Sequence, residues 1–98
     1  MAQQRRSRKT PFQIERHIKG IANHHRIAIL LLIAKHKDLS VEEIAEQLDG
    51  HMKTIAEHTS KLMRAGLISK HYRGHYVLHE LTPYGKQFVA FLTSFQYS

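Results

Sequence analysis

The sequence has no cysteine, no tryptophan, two prolines and only eight acidic residues in 98 positions. Without cysteine there are no disulfides, thiolate nucleophiles or cysteine-held metals, and nothing argues for an oxidising compartment. A membrane span needs about twenty apolar residues in a row. The longest apolar run, Ile27 to Ala34, falls far short of that. The basic start passes through Thr10-Pro11-Phe12-Gln13 into a mixed amphipathic pattern, not a secretory apolar segment. A cytoplasmic location without a membrane partner is therefore expected. The chain also lacks a glycine-rich phosphate loop and a His-Glu-x-x-His helix, so no enzyme and no cofactor is expected.

Positive charge is abundant, with a formal net charge of +7. Arg5, Arg6, Arg8 and Lys9 crowd the start, and residues 1–10 read as a disordered basic arm. Between Gly50 and Tyr76, Lys53, Lys61, Arg64, Lys70 and Arg73 face a single acid, Glu57. Five of the eight acids gather between these blocks, at Asp38, Glu42, Glu43, Glu46 and Asp49. Such segregation of sign suits a polyanionic partner, of which nucleic acid is the common case.

Periodicity predicts a single domain over residues 11–98. Pro11 suits a helix start, and Phe12, Ile14, Ile18 and Ile21 recur at near-helical spacing to about Ala22. Asn23 can cap a second helix, from about His25 to His36, that is apolar on most sides and so should be the most buried. Ser40 with Glu43 forms a capping box for a third helix, with Leu39 placed to staple onto Ile44. Asp49-Gly50 makes a turn into a fourth helix, Met52 to Ala65, which Gly66 closes. Leu67 to Tyr72 and His75 to Leu81 read as a hairpin around Arg73-Gly74. Thr82-Pro83 starts a last helix bearing Tyr84, Phe88, Phe91, Leu92 and Phe95. Four helices, a hairpin and a closing helix make an α+β chain of winged helix-turn-helix type.

In that arrangement the fourth helix presents Lys53, Thr54, Glu57, Ser60, Lys61 and Arg64 on a free face. These side chains suit phosphates and base edges of a major groove. Lys70, Arg73, Gly74 and His75 form a basic wing whose phosphate contacts would position the protein. Double-stranded DNA is thus the expected partner. A protein–protein interaction module of the same fold, without direct DNA binding, is the alternative.

Nine histidines invite a metal hypothesis, yet their spacing does not make one. His24 and His25 point apart on a helix, and His51 and His58 lie two turns apart. His71, His75 and His79 share a hairpin, where only folding could bring ligands together. No metal site is assigned, and most of the histidines are expected at the surface. Tyr72, Tyr76 and Tyr84 are expected to pack in the hairpin and an interface; lining a pocket for a small effector is their other possible role.

Several segments carry a family resemblance. His25-Arg26-Ile27-Ala28-Ile29-Leu30, Leu39-Ser40-Val41-Glu42-Glu43-Ile44-Ala45, Leu62-Met63-Arg64-Ala65-Gly66-Leu67-Ile68 and Leu81-Thr82-Pro83-Tyr84-Gly85 are its clearest pieces. The chain resembles winged helix-turn-helix regulators of the ArsR-like type, with a MarR-like ending. The resemblance implies a homodimeric transcriptional regulator, usually a repressor, with Met52 to Ala65 as recognition helix. It puts the dimer interface on the first and last helices, here Phe12, Ile14, Ile18, Tyr84, Phe88, Phe91, Leu92 and Phe95. Where the arsenic and cadmium sensors carry paired cysteines, this chain has Ser40 and Glu42, and the last helix lacks the His and acidic ligands of the zinc and nickel sensors. Glu57 stands where a basic or polar reader is common, Thr59 where leucine is usual, and Gly50 where the family is apolar.

Overall fold

The computed structural model describes residues 8–98, so most of the expected basic arm lies outside the described residues. The elements are α1 (Pro11–Ile21), α2 (His24–Lys35), α3 (Val41–Leu48), α4 (Met52–Arg64), β1 (Ile68–Arg73), β2 (Tyr76–Leu81) and α5 (Pro83–Gln96). The winged helix-turn-helix expected from the sequence is present in full, with five helices and an antiparallel hairpin before the last.

Short polar side chains set the helix starts. Thr10 caps α1 and Ser40 caps α3, each in a reciprocal box with the residue three positions on, Gln13 and Glu43. Asn23 caps α2, and Thr82 caps α5 just before Pro83. Each such cap satisfies an otherwise orphaned N–H and contributes about 1 kcal/mol. Helix α2 lies at the centre, with Ile29, Leu30 and Ile33 buried. Around it close Ile21, Leu39, Ile44, Ala45, Ile55, Leu62, Leu67 and Ile68. Leu39 and Ile44, the expected staple, both enter this core.

The turn between α3 and α4 falls at Asp49-Gly50, as the sequence suggested. Its left-handed residue is Asp49, at φ 52°. Aspartate tolerates this conformation better than most residues do. A side chain at Gly50 would instead press on Ile55, within about 3.0 Å of its Cδ1. The turn is therefore tight, with Gly50 N–H donating to Ala45 O at 2.8 Å.

The hairpin loop is Gly74-His75, one residue later than the sequence suggested, and Arg73 pairs with Tyr76 inside the ladder. Gly74 has φ 61° and His75 is not left-handed, which matches a two-residue type II′ turn with glycine first. Strand alternation then places Ser69, His71, Arg73, Tyr76, Leu78 and Glu80 on one face of the hairpin.

Gly20 permits α1 to approach α4. A Cβ there would collide with the Cβ of Ala65, and both atoms are fixed to backbone. Gly20→Ala is expected to cost about 1–3 kcal/mol in urea unfolding. Adding Ala65→Gly to the same chain should recover part of the loss. Equal stability of wild type and Gly20→Ala would show that the two helices part freely.

Candidate nucleic-acid interface

Helix α4 is held by Ile55, Thr59 and Leu62, spaced to put one stripe inward. Thr59 is buried, and its hydroxyl donates to Ala56 O at 2.9 Å, so it is part of the core and not a surface reader. The opposite stripe leaves Lys53, Thr54, Glu57, Lys61 and Arg64 exposed and Ser60 half-buried. Lys53, Lys61 and Arg64 make no salt bridge among the described residues. The N-cap of α4, His51, gives no side-chain hydrogen bond, so its first N–H groups keep their donor capacity.

The two ends of α4 face different neighbours. Its first turns adjoin the wing: Met52 and Ala56 share a cleft of about 330 Å³ with His75, Tyr76 and Val77 and with Ser40, Val41 and Glu42. Its last turns face away from that cleft. Lys61 and Arg64 line a groove of about 370 Å³ with Arg16 and Lys19 of α1, Arg26 of α2, Gly20 and Ala65. Five cationic residues and no acid line this groove.

Sequence reading missed Arg16, Lys19 and Arg26 as members of a basic surface. The spacing of Arg16, Lys19 and Gly20 was a usable signal, because three- and four-residue steps share a helix face. Arg26 is partly committed to structure. Its Nε donates to Gly20 O at 2.6 Å and its Nη2 to Lys19 O at 3.4 Å, closing the end of α1.

The wing is less free than expected. Lys70, Gly74 and His75 are exposed, but the Arg73 guanidinium donates to Asp38 Oδ2 at 3.2 Å. An exposed pair of this kind contributes about 0–1 kcal/mol, so Arg73 is readily released to a phosphate. Tyr72, Tyr76 and Tyr84 are all exposed and spread over the hairpin and α5, so they do not converge on a pocket.

Helices α1 and α5 each expose apolar side chains. His17 joins them, its ring 5.2 Å from that of Tyr84 and 6.4 Å from that of Phe88. Phe12 is 71% exposed, Phe91 60% and Phe95 65%, with Ile14, Ile18 and Tyr84 also exposed. Phe88 and Leu92 are half-buried against the core. An apolar patch of this extent marks an interaction surface.

Five of the nine histidines are exposed, as expected of most. His79 departs furthest, at 2% exposure. Its backbone N–H and its ring Nδ1 both meet Leu39 O, at 2.9 and 2.8 Å. A carbonyl only accepts, so Nδ1 carries the proton. His17 Nδ1 meets Ala65 O at 2.7 Å in the same manner and closes the end of α4.

The family model HVO_A0114 matches residues 21–85, from the end of α1 into the start of α5. The chain belongs to the HVO_A0114 family. No curated protein matches the sequence. Among solved structures, the chain is similar to the homodimeric winged helix-turn-helix DNA-binding domain of Mb0332 from Mycobacterium bovis, described as a possible ArsR-family transcriptional regulator. That likeness has a TM-score of 0.78 at 23% identity, over 87% of this chain and 79% of that one. The transcriptional regulator HlyU from Vibrio vulnificus matches with a TM-score of 0.74 at 25% identity, over 86% of this chain and 88% of that one. The transcriptional repressor PagR of Bacillus anthracis matches with a TM-score of 0.75 at 23% identity, over 83% and 93%. The neighbours of this HVO_A0114-family chain are thus winged helix regulators. Among the described residues, no helix is long and apolar enough to cross a membrane.

One titration belongs to the basic groove. His58 is pushed below its ordinary value of 6.5 by burial first, then by Arg26, His25 and Lys61. Arg26 Nη1 lies 3.5 Å from His58 Nδ1, and a guanidinium only donates, so this contact fits the neutral ring. The unfolded chain therefore takes up a proton at His58 before the folded chain does. This contribution to stability is complete above pH 6.5 and is lost as pH falls through the lowered folded value. His58→Gln is expected to flatten that part of the dependence of Tm on pH. An unchanged slope in thermal melts across this window would remove His58 as its cause.

Proposed function

We propose that this protein is a homodimeric transcriptional regulator that binds double-stranded DNA and reads its sequence, acting as a repressor. The observation that carries this reading is the exposed face of α4. It bears Lys53, Lys61 and Arg64, which have no salt-bridge partner among the described residues, and runs between the wing and the basic groove. Lys53, Thr54, Glu57 and Ser60 are assigned to the major groove, Glu57 being suited to accept from cytosine N4. Lys61, Arg64, Arg16 and Lys19 are assigned to the phosphates beyond it, and Lys70, Arg73, Gly74 and His75 to the phosphates on the wing side. The basic residues of 1–10 belong to the same reading, as an arm ahead of a domain over 11–98. The ArsR-like resemblance, with its MarR-like ending, supports the regulator and repressor roles. Being a binding protein, it needs no catalytic residue and no cofactor.

The dimer is assigned to the apolar surface of Phe12, Ile14, Ile18, Tyr84, Phe88, Phe91, Leu92 and Phe95. Transferring such surface from water to a second copy yields about 25 cal/mol per Å². Phe91→Glu combined with Phe95→Glu is expected to shift the sedimenting species from dimer to monomer while leaving the helical spectrum intact. A wild type that sediments as a monomer at every concentration would end this assignment.

Duplex selection from random sequence, followed by affinity against salt, tests the main reading. The log of affinity should fall linearly with log salt, and Lys53→Ala or Lys61→Ala should each lower that slope by about 0.9. Lys35→Ala, at the end of α2 and outside both surfaces, should leave it unchanged. Failure to bind any duplex, or equal effects of all three substitutions, would refute it. Glu57, an acid midway along the exposed face, favours the protein-interaction module as second reading. A partner that covers Met52 to Arg64 in a chain without duplex affinity would establish that instead.

A further inference from the structure

We propose that Asp38, His71 and Glu80 form a binding site for a divalent transition-metal ion, zinc in the first instance, joining the wing to the turn before α3. The inference is independent of duplex binding. These three residues are the one group of three metal-type donors that converge among the described residues, with one ligand atom from each within 4.8 Å of the others.

Folding brings them together from three places. Strand alternation sets His71 on the same hairpin face as Glu80, which lies two positions beyond Leu78, the residue facing His71 across the ladder. Asp38 reaches them from the α2–α3 turn, where it holds a left-handed backbone at φ 63°. His71 Nε2 is 3.1 Å from Asp38 Oδ1, and His71 Nδ1 is 3.5 Å from Glu80 Oε2. The second of these is not a hydrogen bond: His71 Nδ1 is shut off from solvent without a hydrogen-bond partner. A buried polar atom left in this way is costly, and a ligand would satisfy it.

The chemistry suits a borderline divalent ion. One imidazole and two carboxylates supply nitrogen and oxygen donors, and three protein ligands leave an open fourth position. Asp38 and Glu80 lie at the two different ring nitrogens of His71, so zinc bonds of about 2.0–2.2 Å require the imidazole to turn until one nitrogen faces both carboxylates. All three side chains are only partly buried. The two carboxylates outweigh Arg73, the one cation paired with them, whose bond to Asp38 Oδ2 occupies the oxygen turned away from His71. A cavity of about 610 Å³ opens beside Asp38, its acids Asp38, Glu42 and Glu43 standing with Arg73, Ser40, Tyr76 and Leu78.

The test is zinc titration of the full-length protein against a chromophoric chelator, with Tm measured in parallel. The wild type should take up one zinc per chain with a raised Tm. Asp38→Asn, which retains a residue at ease in the left-handed turn, and Glu80→Gln should each weaken uptake by at least about tenfold. His75→Ala, at the exposed hairpin loop, should bind as the wild type does. Arg73→Ala should tighten uptake, because it removes the competing cation. A wild type that takes up no zinc overturns the proposal. So do Asp38→Asn and Glu80→Gln proteins that bind zinc as tightly as the wild type, since the ion would then sit on other histidines.

Discussion

The carbonyl of Leu39 accepts two hydrogen bonds from one buried residue, His79, through its backbone N–H and its ring Nδ1. This junction sets the wing against the helix-turn-helix. Leu39 precedes Ser40, which caps α3, so the same short segment decides where α3 starts and where β2 lies. From it follow the cleft between α4 and the hairpin loop, and the convergence of Asp38 with His71 and Glu80. A histidine suits the place, since its ring N–H satisfies a buried acceptor that an apolar side chain would leave short of a donor. Replacing it with leucine would keep the volume and orphan one lone pair of the carbonyl.

What was legible in the sequence was local. The Ser40–Glu43 box, Thr82-Pro83, Asn23 and Gly66 each act within four residues, and each marks an element end in the structure. The apolar periods of α3 and α4 likewise fixed which stripes face inward, because 3.6 residues per turn is a property of the chain alone. What was not legible was pairing at a distance. His17 bonds a carbonyl 48 residues away and His79 one 40 residues away. Nothing in their neighbourhoods distinguishes them from His24 or His36 at the surface. The hairpin loop was misplaced by one residue because Arg73-Gly74 and Gly74-His75 are both acceptable turn pairs. Ladder register decided between them. The candidate interface was legible as charge on α4, and the shared face of Arg16 and Lys19 was legible on α1, but that this face meets α4 depends on the way Gly20 lets α1 lie close to Ala65.

Charge in the fold is segregated as well as plentiful. Four of the acids, Asp38, Glu42, Glu43 and Glu80, sit around the turn before α3 and the hairpin face above it. Five cations of α1, α2 and α4 line one groove that no acid lines, of which Lys19 also pairs with Glu15 at 2.9 Å. Opposite signs held apart make a directional field, positive on the α4 side. Such a field orients an approaching polyanion before contact. An even mixture of the same residues would give equal solubility and no orientation.

Helix α1 connects the two surfaces on which the functional reading depends. At eleven residues it is too short to persist in water on its own. Its inward contacts are few: Ile21 is buried, and His17 closes the end of α4. One flank carries Ile14 and Ile18, a turn apart and exposed. Another carries Arg16 and Lys19, which wall the basic groove. A second copy seated on Ile14 and Ile18 would restrict α1 on the flank that nothing else holds. It would thereby fix Arg16 and Lys19 relative to Lys61 and Arg64, ordering the groove before any anion arrives. Preorganisation of that kind would lower the entropy cost of binding, so in the proposed dimer the stiffness of a single helix would couple assembly of the apolar surface to affinity of the basic one.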